Sequence, residues 1–145
     1  MDDLLELDIA NIDFNDLDAS KLAEHEVLII DTIGILTKIY SYADIVYVGG
    51  GFGNPGVHNI LEPATFGVPI IIGPNYNHFA EATALVKMNG CISITNQEEL
   101  NEAFDQLIQN AAIRDEKGHI CSTFVEMNKN ATEIIMNYII QKKTN

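Results

Sequence analysis

Gly49-Gly-Gly-Phe-Gly-Asn-Pro-Gly56 leads directly into Val57-His-Asn-Ile-Leu-Glu62-Pro63, and a second run reads Gly73-Pro-Asn-Tyr-Asn-His-Phe-Ala-Glu81. A shorter one reads Asp31-Thr-Ile-Gly-Ile35. Together they have the ingredients of an anion site. Glycine lets backbone N–H groups approach a phosphate closely, and a helix starting just beyond adds free N–H groups and the positive end of its dipole. His58, Asn59 and Glu62 stand at i, i+1 and i+4, a spacing that puts His58 and Glu62 on one face of the helix entrance. A carboxylate beside a phosphate is explained if Glu62 accepts hydrogen bonds from vicinal ribose hydroxyls, as acidic residues do in dinucleotide folds. Pro63 is best tolerated in a first turn, so the helix is expected to start at or just before Glu62.

Each feature alone has an ordinary explanation. A glycine-rich turn after a strand is more often a tight connection than a phosphate cradle. A lone His58 is more often a cap or a solvated loop residue than a catalyst, and Glu62 could simply cap its helix. Asn77, His78 and Phe79 could be the cap and staple of the next helix. Convergence favours the functional reading, because the three runs follow three apolar strands, and ligands of open parallel sheets bind outside the carboxyl ends of the strands. Other chemistries find little support. The four histidines (25, 58, 78 and 119) are scattered and no carboxylates have metal-ligand spacing, so no metal is expected. There is no GxSxG and no Cys/His motif.

The elements that must position these residues are legible as an alternation. Short β-branched runs at 27–31, 45–49, 69–73 and 91–95 read as strands buried on both faces. Helical stretches are expected at about 35–43, 61–66 and 78–88. The fold class implied is α/β, a Rossmann-like parallel sheet with helices on both faces. After the fourth strand, Thr95 or Asn96 can cap a helix with Glu98 or Glu99 closing a capping box. Leu100, Ala103, Phe104, Leu107 and Ile108 then repeat at helical spacing. A last helix is expected after Gly118, through Ile120, Phe124, Met127, Ala131, Ile134 and Tyr138, bent or interrupted at Asn128-Lys-Asn130. Residues 1–26 alternate Asp and Leu without firm period and are assigned no structure.

Composition bounds the partners. At 145 residues, 47% hydrophobic and 20% charged, the chain is of single-domain size and ordinary globular make-up. The net charge of −13, from 21 acidic against 8 basic residues, argues against nucleic acid and against an anionic leaflet. Cys91 and Cys121 lie outside any CxxC and read as buried thiols in a reducing compartment, with a disulfide left open. Neither a signal peptide nor an apolar run of membrane-spanning length is visible, and a cytoplasmic location without direct membrane insertion is expected.

At this point a family resemblance emerges. Asp31-Thr-Ile-Gly, Tyr40 and Tyr42-Ala-Asp44 leading to Val48-Gly-Gly50, His58-Asn-Ile-Leu-Glu-Pro63, and Gly67-Val-Pro-Ile followed by Gly73-Pro resemble the C-terminal half of 3-deoxy-D-manno-octulosonic acid (Kdo) transferases. The resemblance runs from about residue 27 to the end. It implies a GT-B glycosyltransferase, with two Rossmann-like domains across a cleft, that moves Kdo from CMP-Kdo to a lipid A precursor in lipopolysaccharide assembly. The reaction is implied to run at the cytoplasmic face of the inner membrane of Gram-negative cells, without metal or cofactor. Residues 27–145 would be the donor-binding domain, with 1–26 an acidic segment leading into it. By position, Ile33, Gly34 and Ile35 would contact CMP, as would Asn59, Ile60, Leu61 and Glu62. Glu62 would hold the ribose and Asn59 would sit near the phosphate. Gly49, Gly50, Gly51, Phe52 and Gly53 would floor the sugar, with His58 and Asn77 as further, weaker contacts.

There are departures. Many family members carry Glu where this chain has Ile35, so a contact there must come from the backbone. The acceptor-binding domain, its acidic base and a basic Pro-Arg segment have no counterpart here; Lys21 is the one Lys or Arg in residues 1–26. No catalytic residue is therefore expected within the chain. It reads as the donor half of an enzyme, inactive alone, whose last helix could pack against the other half or simply face its own core. Rival readings are a GT-B enzyme or sugar-nucleotide epimerase with a UDP donor, a response-regulator-like domain, or an NAD-binding domain. The first turn, Asp31-Thr-Ile-Gly-Ile, fits neither of the last two.

Overall fold

The computed structural model describes residues 11–13, 26–30, 33–129 and 131–143. The chain divides between Ile39 and Tyr40 into two compact units. In the first unit, β1 (Asn11–Asp13) and β2 (Val27–Ile29) form a two-stranded parallel sheet in the register Asn11 to Val27, and α1 (Leu36–Ile39) follows. Among the described residues, the partner of β2 within this unit is a strand inside the acidic N-terminal segment. Three residues are too few to show a period of two, which is why β1 was not legible.

The second unit holds the larger sheet. After a 3-10 turn (Tyr40–Tyr42) come β3 (Val46–Val48), α2 (Leu61–Thr65), β4 (Ile70–Ile72), α3 (Ala80–Lys87) and β5 (Cys91–Ser93). The strands lie in the order β3-β4-β5, all parallel, with Val46 opposite Ile70 and Ile70 opposite Cys91. The apolar run of β4 has the cause foreseen: Ile70, Ile71 and Ile72 are each fully buried, because both faces are covered. Alternation across the strand separates two cores. Val46, Val48, Ile70, Ile72 and Cys91 pack with Ala64, Ala82, Leu85 and Cys121, whereas Ile71 packs with Ile94, Ala103 and Leu107. Each fully buried isoleucine contributes about 1.5–3 kcal/mol, enough to hold the carboxyl ends of β3 and β4 in register. Tyr47, at 41% exposure, marks where the second face is left uncovered.

Next comes α4 (Gln97–Gln109), whose start follows the expected chemistry. Asn96 Oδ1 accepts the Glu99 N–H at 3.0 Å, and the Glu99 carboxylate accepts the Thr95 N–H and hydroxyl at 2.6 and 2.8 Å. Those Thr95 bonds hold the Glu99 carboxyl below its ordinary pKa.

The helix expected after Gly118 begins earlier, at Ala111, and α5 (Ala111–Asn128) runs through the glycine. Asn110 caps it by accepting the Ile113 N–H at 3.2 Å. Gly118 is not a breaker but a contact: a Cβ there would collide with the Gly67 carbonyl oxygen, so its absence lets α5 press against the turn after α2. The interruption falls as expected after Asn128, although Asn130 itself lies outside the described residues, and α6 (Ala131–Lys143) follows. Ile135, Met136, Tyr138, Ile139 and Ile140 on α6 are all substantially exposed.

Candidate functional site

The carboxyl ends of β3 and β4 meet backbone to backbone. A Cβ on Gly51 would stand 2.7 Å from Gly73 N, and one on Gly73 would stand 2.6 Å from Gly51 C. Gly50 adopts φ +88°, and a Cβ there would strike Gly56 O at 2.5 Å and the His58 ring at 2.7 Å. The loop that results is internally bonded. Gly53 N–H donates to Gly50 O (2.9 Å), Gly56 N–H to Gly53 O (3.2 Å), and His58 N–H to Gly49 O (3.0 Å). These donors were expected to face an anion, yet the loop uses them to close on itself. The glycines therefore set the path of the chain more than they supply N–H groups.

The entrance of α2 is organised by Asn59. Its Oδ1 accepts the Leu61 N–H at 3.0 Å, and its Nδ2 donates to Glu62 Oε1 at 2.9 Å. Glu62 is thereby oriented by a neighbour three residues back, with Oε2 left for another donor. The helix starts at Leu61 and Pro63 falls in its first turn, as expected. His58 is consequently outside the helix, and the shared face proposed for His58 and Glu62 is not formed; the His58 ring lies instead over Gly50. Ile60 is buried, at 2% exposure, while Leu61 and Phe52 are exposed.

Tyr40 was read as part of a motif and not as a site residue. Burial raises its phenol pKa above the ordinary value, and the negative charge of Glu62 raises it further, so the ring lies within electrostatic reach of the carboxylate. Its other neighbour is Phe66, with ring centroids 6.4 Å apart. Only the fold joins residues 22 positions apart in this way.

Two hollows flank the glycine loop. One of about 250 Å³ is lined by Val57, His58, Asn59, Phe79 and Glu81, and one of about 240 Å³ by Asn54, Asn75, Asn77 and His78. Gly56, at φ +84°, divides them, because a Cβ there would lie 2.6 Å from the Phe79 ring. Asn75 and Glu81 were seen in the sequence only as parts of a run, and Phe79 only as a candidate staple of the next helix. A larger, open hollow of about 490 Å³ runs along β5 and α4 by Ser93, Glu99 and Glu102. It borders neither the glycine loop nor the entrance of α2.

The remaining expected contacts belong to the first unit. Asp31 and Thr32 lie outside the described residues. Ile33 is fully exposed and Gly34 adopts φ +93°. Ile35 O accepts the N–H groups of Lys38 (2.9 Å) and Ile39 (3.2 Å), so the turn leads into α1. Among the described residues no group of three or more His, Cys, Asp or Glu is placed to hold a metal ion, and no helix is long and apolar enough to cross a membrane. Cys91 and Cys121 are buried free thiols, pushed up to about 12 chiefly by burial. Cys121 Sγ donates to Gly90 O at 3.3 Å.

A parallel sheet of this kind, with a glycine loop and a helix entrance at its carboxyl ends, defines a Rossmann-like domain of the sort found as the C-terminal half of GT-B glycosyltransferases. The fold matches the C-terminal CMP-Kdo binding domain of WaaA from Acinetobacter baumannii with a TM-score of 0.71 at 21% identity, covering 86% of this chain and 67% of that one. In sequence the chain is similar to 3-deoxy-D-manno-octulosonic acid transferases. It is 42% identical to that of Chlamydophila psittaci over 78 residues, which is 51% of this chain and 18% of the relative. It is 36% identical to that of Chlamydia trachomatis over 113 residues, 74% of this chain and 25% of the relative. The chain thus spans a quarter or less of the length of these two relatives. No protein-family model matches it.

Proposed function

We propose that this chain is the donor-binding part of a Kdo transferase and binds CMP-Kdo through its nucleotide. The observation that carries the reading is the Asn59–Glu62 pair at the mouth of α2, beside a closed glycine loop, in a chain similar to Kdo transferases. Asn59 holds one oxygen of Glu62 and leaves the other to accept from the ribose hydroxyls. In a helix of five residues the N–H groups of Ile60 and Glu62 have no helical carbonyl to reach, and they are the donors for the phosphate. Ile60 thus acts through its backbone, and Leu61, whose N–H is taken by Asn59, through its exposed side chain. The resemblance in motif assigns cytidine contacts to Ile33, Gly34 and Ile35, and a border to the sugar to Gly49, Gly50, Gly51, Phe52 and Gly53, with His58 and Asn77. Residues 27–145 form the donor domain.

The acceptor is a lipid A precursor, the process lipopolysaccharide assembly, and the place of action the cytoplasmic face of the inner membrane. The acidic base resides in the acceptor-binding part of the enzyme. Titration of the 15N-labelled chain with CMP and with UDP tests the nucleotide assignment. Shifts at Gly34, Asn59 and Glu62 with CMP preferred are expected. A preference for UDP, or unmoved resonances at millimolar CMP, would refute it, since that limit corresponds to a binding energy weaker than about −4 kcal/mol. The UDP outcome would favour a UDP-sugar enzyme on the same fold.

A further inference from the structure

We infer that Asn75 is a positioning residue for the phosphate end of this site, clamping the two arms of the glycine loop so that the mouth of α2 is held in place. The inference rests on the donor-site reading above. Asn75 follows β4, and it bonds to both arms of a loop that begins on β3. On the outgoing arm its N–H donates to Gly51 O at 2.9 Å and its Nδ2 donates to Gly53 O at 3.2 Å. On the returning arm its carbonyl accepts the Val57 N–H at 3.1 Å. The next residue, His58, closes the loop by donating to Gly49 O at 3.0 Å, and Asn59 with its hold on Glu62 follows at once. The two arms cannot part without breaking bonds to this one residue, and the returning arm leads within two residues to Asn59.

The side chain is exposed, so burial does not account for it. Its backbone bonds would form with most residues at this position, whereas the Gly53 bond needs a side-chain donor of this length. Gly56 supplies the space the clamp requires: a Cβ there would lie 2.9 Å from Asn75 O. The N–H groups of Gly53, Gly56, Val57 and His58 are already engaged, so the clamp fixes where the donors beyond the loop, at the mouth of α2, are presented.

Two substitutions remove the donor and keep the approximate shape, Asn75→Leu and Asn75→Asp. Cytidine and CMP, measured by calorimetry on the 145-residue chain, separate positioning of the phosphate end from general damage. Both variants are expected to bind CMP about tenfold more weakly and cytidine within about twofold of the wild type. Amide exchange at Val57 should quicken while that at Ile71 in the core stays unchanged. Wild-type affinity for CMP in both variants would overturn the inference, as would equal losses for CMP and cytidine, which would mark a merely structural residue. A wild-type chain that binds no CMP would overturn the donor-site reading and this role with it, whereas normal wild-type binding with unaffected variants would overturn this role alone.

Discussion

Gly49 and Gly51 are two positions apart in one loop, and the structure assigns them opposite tolerance. A Cβ on Gly49 meets nothing within 4 Å, and Gly49 is not among the glycines at positive φ. Replacing it with alanine restricts the unfolded chain at no steric cost, so Gly49→Ala should be neutral or stabilising by up to about 1 kcal/mol. On Gly51 the same methyl would lie 2.7 Å from Gly73 N and 2.8 Å from Gly73 Cα, against backbone that no rotamer change can move. The ends of β3 and β4 would have to separate by several tenths of an ångström where Ile72 and Val48 are close-packed. Overpacking of this kind costs about 1–3 kcal/mol. At about 2–4 °C per kcal/mol for a chain of this size, Gly51→Ala should lower the thermal midpoint by about 2–12 °C. Circular dichroism melts of the wild type and both variants, at one protein concentration and pH, measure this. Equal midpoints for Gly51→Ala and the wild type, or a larger loss in Gly49→Ala, would refute the backbone-contact argument. If Gly49→Ala keeps its stability but loses CMP affinity, the open space above Gly49 is where the donor lies.

Two further outcomes are expected. Glu62→Gln should weaken CMP binding by about tenfold and reduce the preference for CMP over its 2′-deoxy analogue, because an acceptor for the ribose hydroxyls is lost; calorimetry reads both. The same substitution should lower the Tyr40 pKa, since a negative neighbour disfavours the phenolate, while burial keeps it above the ordinary value; ultraviolet titration of the tyrosines follows it. Cys91 and Cys121 should resist thiol reagents at neutral pH until the chain unfolds. Their folded pKa values of about 12 against an ordinary value of 9.0 mean that the unfolded state ionises first, so stability is fully present below about pH 9 and falls as pH rises toward 12. Urea midpoints at pH 8 and above pH 10 give the sign.

Much of this was legible without coordinates. The Ile-Ile-Ile run of β4 announced a strand covered on both faces, because an apolar run without alternation has no solvent side. Asn96 with Glu99, and Pro63 at the first turn of α2, were readable because caps and proline act within one turn of chain. The ordered motifs from Asp31 to Pro74 were enough to suggest the relatives that the comparison then found.

What the amino-acid order determined by itself was therefore the local and the periodic: the strands of the main sheet, several helix starts and the residue types at their ends. Tertiary structure alone decided which of those residues act on one another. Gly118 looked like a break and proved to be a contact, within α5, with Gly67 in the turn after α2, about fifty residues earlier. His58 looked like a partner of Glu62 and turned toward Gly50, while Asn59 took the carboxylate. Asn75 drew together Gly51, Gly53 and Val57, and Tyr40 came within reach of Glu62. Hydrogen bonds and close approaches between distant residues depend on how strands are brought side by side, and that depends on the whole buried core rather than on any stretch of the chain.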